Sequence, residues 1–212
     1  LIFLQIASDR MKIASDRKFI NLEVENGIRR EMMAITGECK VIDTILKRRS
    51  VREFTDKPVS KEDINTILNA GHWAPSGLNN QPWRFIVIQD RETINKLSEC
   101  THYSGIVAGA PLLIAVFLDT ENSYNRTKDV QAIGAAIQNM LLTTCDLGLG
   151  GVWLGEILNQ NEKVNSILDC PSKLELMAVL AIGEPVPKER TSTRKPLSEI
   201  VFDEKYGHKW EE

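Results

Sequence analysis

An excess of basic charge is the first thing missing from this sequence. Its 26 lysines and arginines stand against 29 acidic residues, a formal net charge of -3. With no surplus to neutralise phosphates, the composition argues against a general nucleic-acid binder. Long apolar runs are missing too, since none approaches the ~20 residues needed to cross a bilayer. The opening Leu1-Ile2-Phe3-Leu4 is short and lacks a basic leader or a small-residue cleavage site, which argues against a signal peptide. Cysteine is sparse: Cys39, Cys100, Cys145 and Cys170 form no CxxC pair. Metal and dithiol chemistry are therefore not expected, and reduced thiols in a cytoplasmic protein are. His72, His102 and His208 are the only histidines, and none sits in a ligand or nucleophile constellation. There is no GxSxG elbow, no HExxH and no Walker A pattern. No GxGxxG follows a strand, which argues against a Rossmann dinucleotide site. The carboxylates are scattered through charged runs, so an acid/base pair has no anchor.

What is present suits one soluble domain. A chain of 212 residues with 42% hydrophobic and 26% charged residues can build a single well-buried core. The first forty residues differ from the rest. Ile6-Ala7-Ser8-Asp9-Arg10 returns as Ile13-Ala14-Ser15-Asp16-Arg17, too few heptads for a coiled coil, and the chain begins without Met. Residues 1–40 are expected to be a leader, added or translated from an upstream start. The functional domain is expected at 41–212.

From Val41 the pattern is regular. Ile42, Ile45 and Leu46 mark a short amphipathic helix ending in Lys47-Arg48-Arg49. Ser60 and Asp63 form a capping box, with Val59 and Ile64 as its staple, for a helix stopped near Gly71. Residues 85–88, 111–118 and 176–182 read as buried strands, and residues 152–155 as a short strand or turn. Helices are expected at 91–99, at 130–147 and after Asn159. The 130–147 segment is apolar nearly all round and must be enclosed, in part by a second subunit. Residues 184–212, charged and broken by proline, read as an extended arm. The order gives an α+β fold around one sheet.

The polar stretch Ala74-Pro75-Ser76-Gly77-Leu78-Asn79-Asn80-Gln81-Pro82-Trp83 links a helix to the first strand. So many turn residues and hydrogen-bonding side chains can hold a planar polar ligand, although an ordinary connector has the same composition. Arg48, Arg49 and Arg52, with Ser50 among them, could bind phosphate or form a solvated face. Arg194-Lys195, after Thr191-Ser192-Thr193, is a second group of this kind. A phosphate cluster, an amide-rich loop and a glycine-rich turn suit a cofactor that brings its own reactivity.

Three stretches together resemble the nitroreductase family of flavoproteins: Lys47-Arg48-Arg49-Ser50-Val51-Arg52-Glu53-Phe54, Asn79-Asn80-Gln81-Pro82-Trp83 and Gly150-Gly151-Val152-Trp153-Leu154-Gly155. The resemblance covers about residues 41–206. It implies a nitroreductase-like α+β fold with a mixed or antiparallel central sheet flanked by helices. It also implies an intertwined homodimer with an extended C-terminal arm and FMN at the subunit interface. Arg48, Arg49 and Ser50 match contacts to the phosphate and ribityl end, Arg52 a cation at the pyrimidine edge, and Arg194 a late phosphate contact. Pro75, Ser76, Gly77 and Asn79 match a loop reaching the partner's flavin, and Leu154 and Gly155 the turn beside its N5 region. A further polar contact falls near His102 or Tyr103. No role is carried over to Glu156, because many members place an acidic residue before this glycine, not after it.

The implied reaction passes hydride from NADH or NADPH through flavin N5 to a nitroaromatic, a quinone or an activated alkene. No side chain need act as catalyst, and no metal, nucleic acid or membrane is involved. Dehalogenation, flavin fragmentation or ring dehydrogenation on the same fold is an alternative. The short stretch between Leu118 and Val130 leaves little room for the lid such reactions need. A flavin-binding protein without efficient turnover and a purely structural module are the remaining readings.

Overall fold

The computed structural model describes residues 40–210. The repeated pentapeptide, Cys39 and nearly all of the expected leader lie outside the described residues. Helix α1 (Lys40–Lys47) forms where the 3.6-residue spacing places it, and Ile42, Ile45 and Leu46 on it are exposed. The chain divides after Leu46, and the part from Lys47 onward makes one compact unit.

Within that unit a four-stranded sheet is built from β1 (Trp83–Ile88), β2 (Leu112–Asp119), β3 (Gly150–Leu154) and β4 (Leu174–Gly183). The spatial order is β1-β2-β4-β3, and every neighbouring pair is antiparallel. A parallel bridge joins Ser50, outside the named strands, to Gly151 of β3. The two central strands are the apolar runs of the sequence: β2 is buried along its whole length, as a strand covered on both faces must be. Residues 85–88 depart from that expectation. β1 lies at the edge of the sheet, so Val87 is exposed and Phe85 and Ile86 are only half-buried.

Helices cover both faces. Leu112, Ile114, Val116 and Leu118 pack with α2 (Lys61–His72) and α5 (Arg126–Asp146) on one side. Leu113, Ala115 and Phe117 pack on the other with α3 (Arg91–Ser98), α4 (Ser104–Gly109) and α6 (Asn161–Ile167). A register shift between Val116 and Phe117 accommodates the paired β4 without breaking this alternation. Helix α4 has no counterpart in the sequence reading. Its six residues, Ser-Gly-Ile-Val-Ala-Gly, carry little helix propensity, and the guanidinium of Arg91 binds the Ala108 and Ala110 carbonyls at its end.

The caps explain the boundaries. Ser60 Oγ accepts the Asp63 amide and donates to the Asp63 carboxylate, and Val59 and Ile64 are both buried beside it. Asn125 caps α5, which starts four residues earlier than its apolar pattern. Gly148, at φ 75°, closes that helix as Leu149 N donates back to the Thr144 carbonyl. α5 is not sealed all round: Ala132, Ile133, Ala136, Ile137 and Met140 are buried, while Gln131 and Gln138 face solvent. From Glu184 to Trp210 the chain has no helix or strand beyond one 3₁₀ turn (Leu197–Glu199) and isolated bridges, and it is largely exposed.

Candidate functional site

Residues 48–57 are extended and lie between the edge of β3 and the chain that leaves β4. Val51 N donates to the Gly151 carbonyl at 3.1 Å, and Phe54 bridges Pro185. Val186 N donates to the Glu53 carbonyl and Thr55 N to the Glu184 carbonyl. Side chains fasten the same ladder, with Lys188 on Glu53 at 2.7 Å and Lys57 on Glu184 at 3.0 Å. The glycines make this approach possible. A Cβ on Gly150 would stand 2.7 Å from three Val51 side-chain atoms, and one on Gly183 would strike Pro111 and crowd Phe54. The glycine-rich turn is thus less a chain break than a close-packing surface for the arginine segment.

The two ends of the chain's basic sequence meet there. Arg48, Arg49, Ser50, Arg52 and Arg194 line one cleft of about 520 Å³. Lys188, Arg190, Thr191 and Ser192 line it with them. Glu53 and Glu189 are its acidic members, and Lys188, by hydrogen bond and charge, holds the Glu53 carboxyl below the usual range. Arg48 and Arg52 have no carboxylate partner among the described residues. Arg49 donates to the Arg48 carbonyl and Arg194 to the Thr193 carbonyl. Lys188 and Arg190 were not picked out in the sequence because Lys188-Glu189-Arg190 looks like an ordinary charged surface run. The strand-like ladder with residues 53–55 brings it alongside the cleft.

A second pocket, of about 300 Å³, adjoins at the end of β3. Arg52, Tyr103, Ile106, Val152, Trp153, Leu154, Gly155 and Glu156 line it. Arg52 is common to both. Of the two residues that sequence left open, Tyr103 reaches this pocket, whereas His102 Nε2 lies 3.7 Å from Glu156 Oε1. Glu156 also accepts from Thr101 Oγ1 at 2.6 Å, from His102 N at 3.0 Å and from Asn159 Nδ2 at 3.4 Å. The Thr101 hydroxyl, followed by the His102 amide, holds its carboxyl below the ordinary glutamate range. The sequence carried no signal for this role, since Thr101 and Glu156 are 55 residues apart.

Pro75, Ser76, Gly77 and Asn79 line neither pocket. They sit in a tightly pinned loop before β1. Leu78, Asn79 and Gln81 all have φ between 48° and 55°, a conformation that disfavours a leucine and a glutamine. Gln81 N donates to Ser76 Oγ, and Gly77 leaves room for the Tyr124 hydroxyl. Asn80 Nδ2 donates to Asp129 at 2.9 Å, and Asp119 N donates to the Pro82 carbonyl. Asp129, fully buried in the first turn of α5, accepts from Ser123 Oγ and the Tyr124 and Asn125 amides as well. Leu78 is nonetheless 84% exposed, and Trp73 78%. The β2–α5 connection, residues 120–125, is short and held by the same two aspartates, which leaves no lid at this point. Among the described residues there is no cluster of three or more metal-ligating side chains, and no helix is long and apolar enough to cross a membrane.

Comparison with known proteins bears on these pockets. The model of the nitroreductase family matches residues 45–103 and 98–184, more than half of the chain. A protein of Archaeoglobus fulgidus named as an NADH dehydrogenase/NAD(P)H nitroreductase is 38% identical over 152 residues, 70% of this chain and 86% of its own. Among solved structures, a Desulfovibrio desulfuricans protein described as a nitroreductase in complex with FMN is 48% identical. It covers 80% of this chain and 99% of its own, with a TM-score of 0.76. The NADPH:FMN oxidoreductase of Vibrio harveyi, complexed with NAD+, is 26% identical over 79% of this chain and 78% of its own, with a TM-score of 0.73.

Proposed function

The chain belongs to the nitroreductase family, and on that premise we propose that it is an FMN-dependent oxidoreductase carrying reducing equivalents from NADH or NADPH to a small organic acceptor. The observation that carries the reading is the place of Arg52. It lines both the cationic cleft and the pocket of Leu154 and Gly155. A cofactor with a phosphate at one end and an electron-poor ring at the other needs two such compartments joined in this way.

The residues fit FMN by their chemistry. Arg48 lacks a carboxylate partner among the described residues, and with Arg49 and Arg194 it offers guanidinium forks that match phosphate oxygens. Ser50, Thr191 and Ser192 add neutral hydroxyl donors for a ribityl chain. Arg52 supplies positive charge where the two pockets join, and can stabilise negative charge on a reduced ring. When bound, FMN supplies the two-electron chemistry, taking hydride from a reduced nicotinamide and returning it to the acceptor.

The protein orients and shields. Leu154 and Gly155 form an apolar wall with no side-chain acid or base. Tyr103 and Trp153 offer aromatic surface against which a planar nitroaromatic, quinone or activated alkene can lie. No side chain is required as nucleophile, and protons come from water. The absence of a lid between β2 and α5 favours this open reductase over dehalogenating or flavin-cleaving reactions.

The functional unit in this reading is a homodimer. The loop bearing Pro75, Ser76, Gly77 and Asn79 serves the partner's cofactor, and α5 completes its enclosure against the second copy. Two observations support this: Pro75, Ser76, Gly77 and Asn79 line neither the cationic cleft nor the Leu154 pocket of their own chain, and Leu78 beside them and Trp73 before them are exposed. A donor such as NADH or NADPH suits a cytoplasmic setting. The test is the visible spectrum of purified protein reconstituted with FMN and mixed anaerobically with NADH, then NADPH. A flavin band bleached by one of them is expected. Colourless protein, or a bound flavin that neither donor reduces, would overturn the reading.

A further inference from the structure

We propose that Glu156 is a positioning residue that holds Tyr103 as a fixed wall of the Arg52–Leu154 pocket. The pocket has two walls from distant parts of the chain. One is the end of β3, Val152 to Gly155; the other is Tyr103 and Ile106 at the start of α4. Helix α4 is only six residues long, and Tyr103 at its head makes no side-chain capping bond. Nothing in its own sequence fixes where the helix begins.

Glu156 supplies what α4 lacks. It follows the β3 wall directly, and its Oε2 accepts both Thr101 Oγ1 and His102 N. Thr101 Oγ1 in turn accepts the Tyr103 amide at 3.1 Å. A carboxylate on one wall therefore reaches the backbone of the other in two bonds. Asn159 on the following 3₁₀ turn (Glu156–Gln160) steadies Oε1 from the far side. Charge-assisted bonds of this kind are the stronger class, and a carboxylate accepting several of them loses little freedom in making each. The Tyr103 carbonyl then accepts Ile106 N and Val107 N, so the first turn of α4 starts from a point that Glu156 sets. In the functional reading above, on which this proposal rests, that wall receives the planar acceptor. Glu156 stands at the rim of the same pocket, but its carboxylate is turned to Thr101 and His102, and in this proposal it acts through Tyr103.

The test combines an activity readout with one that needs no cofactor. In Glu156→Ala, amide hydrogen exchange at His102 and Tyr103 should quicken by about tenfold or more, in protein with or without FMN. Glu156→Gln keeps an acceptor oxygen and should stay within about threefold of the parent. Thr101→Val removes only the relay, so Tyr103 should quicken while His102 does not; this arm serves if Glu156→Ala fails to fold. With FMN and donor present, Glu156→Ala should raise the acceptor KM about tenfold while kcat moves less than about threefold. Tyr103→Ala should do the same, and the double variant should be no worse than Tyr103→Ala alone. Unchanged exchange in both Glu156→Ala and Thr101→Val would overturn the proposal, as would fully additive effects on KM. Quickened exchange in a protein that turns over no acceptor would leave the tie standing and sink the function assigned to the pocket.

Discussion

Val51 occupies the space that a side chain on Gly150 would need: three of its side-chain atoms lie 2.7 Å from the position of that missing Cβ. The pair sits beside the Val51–Gly151 backbone hydrogen bond, so the arginine segment is seated on β3 through contact with a glycine. Gly150→Ala should therefore displace residues 48–52 as well as strain the strand. We expect a loss of about 1–3 kcal/mol in stability, the usual range for overpacking. FMN affinity should fall with it. Val51→Ala in the same chain should recover part of both losses, a coupling that urea denaturation and FMN titration of the four cycle members would measure. Additive losses would show that the segment is held by something else.

Arg48 is the sharpest test of the cationic cleft, because it has no carboxylate partner among the described residues that its removal would leave exposed. Arg48→Ala should weaken FMN binding by about 1.5–3 kcal/mol with little effect on the melting temperature of the apo-protein. Fluorescence titration with FMN and with riboflavin separates the phosphate contribution. Affinity for riboflavin, which has no phosphate, should hardly change. An equal loss for both ligands would move Arg48 away from the phosphate.

Asp129 should matter out of proportion to its distance from the pockets. Asp129→Ala would leave Ser123 Oγ and the Tyr124 and Asn125 amides without this acceptor, and would leave Asn80 Nδ2 with only the Asn122 carbonyl. Orphaned buried groups cost about 1–3 kcal/mol each where water cannot reach them. Proteolysis should then cut within residues 76–81 and 120–125 before it cuts elsewhere. In the dimeric reading, FMN binding falls in this variant although no cleft residue has changed. Resistance equal to the parent's would mean that the loop is held by its own turns.

Much of the fold could be read from residue order, and the reasons differ from element to element. β2 and β4 were legible because strands buried on both faces leave continuous apolar runs. Residues 85–88 carry the same run, yet they form an exposed edge. Apolar composition does not record which strand is outermost. Helix α4 was invisible, since Ser104-Gly105-Ile106-Val107-Ala108-Gly109 has no helical signal and is fixed by Arg91 and Glu156 from outside. In the site, Arg48, Arg49, Ser50, Arg52 and Arg194 stood out by charge density and resemblance, and the structure gathers them in one cleft. Lys188 and Glu156 did not, because their place depends on pairings across 55 residues or more, and Arg190 follows Lys188 through local bonds to the Val186 and Lys188 carbonyls.

The same two aspartates that brace the loop set an acid limit on the fold. Burial pushes both carboxyls up, but their partners outweigh it. Asn122 and Arg84 act on Asp119, Ser123 and Asn80 on Asp129, and each carboxyl ends below its ordinary value of 3.8. A group whose folded value is depressed binds its proton more readily in the unfolded chain. Its stabilisation is therefore complete above the unfolded value and is lost as pH falls through the folded one. Stability measured by urea denaturation should hold from neutrality to about pH 5 as far as these groups are concerned, then fall steeply below about pH 4. In Asp129→Asn that acid slope should be shallower, because one of the two titrating groups is gone. An acid slope equal to the parent's would assign the loss to other carboxylates and remove Asp129 from this role.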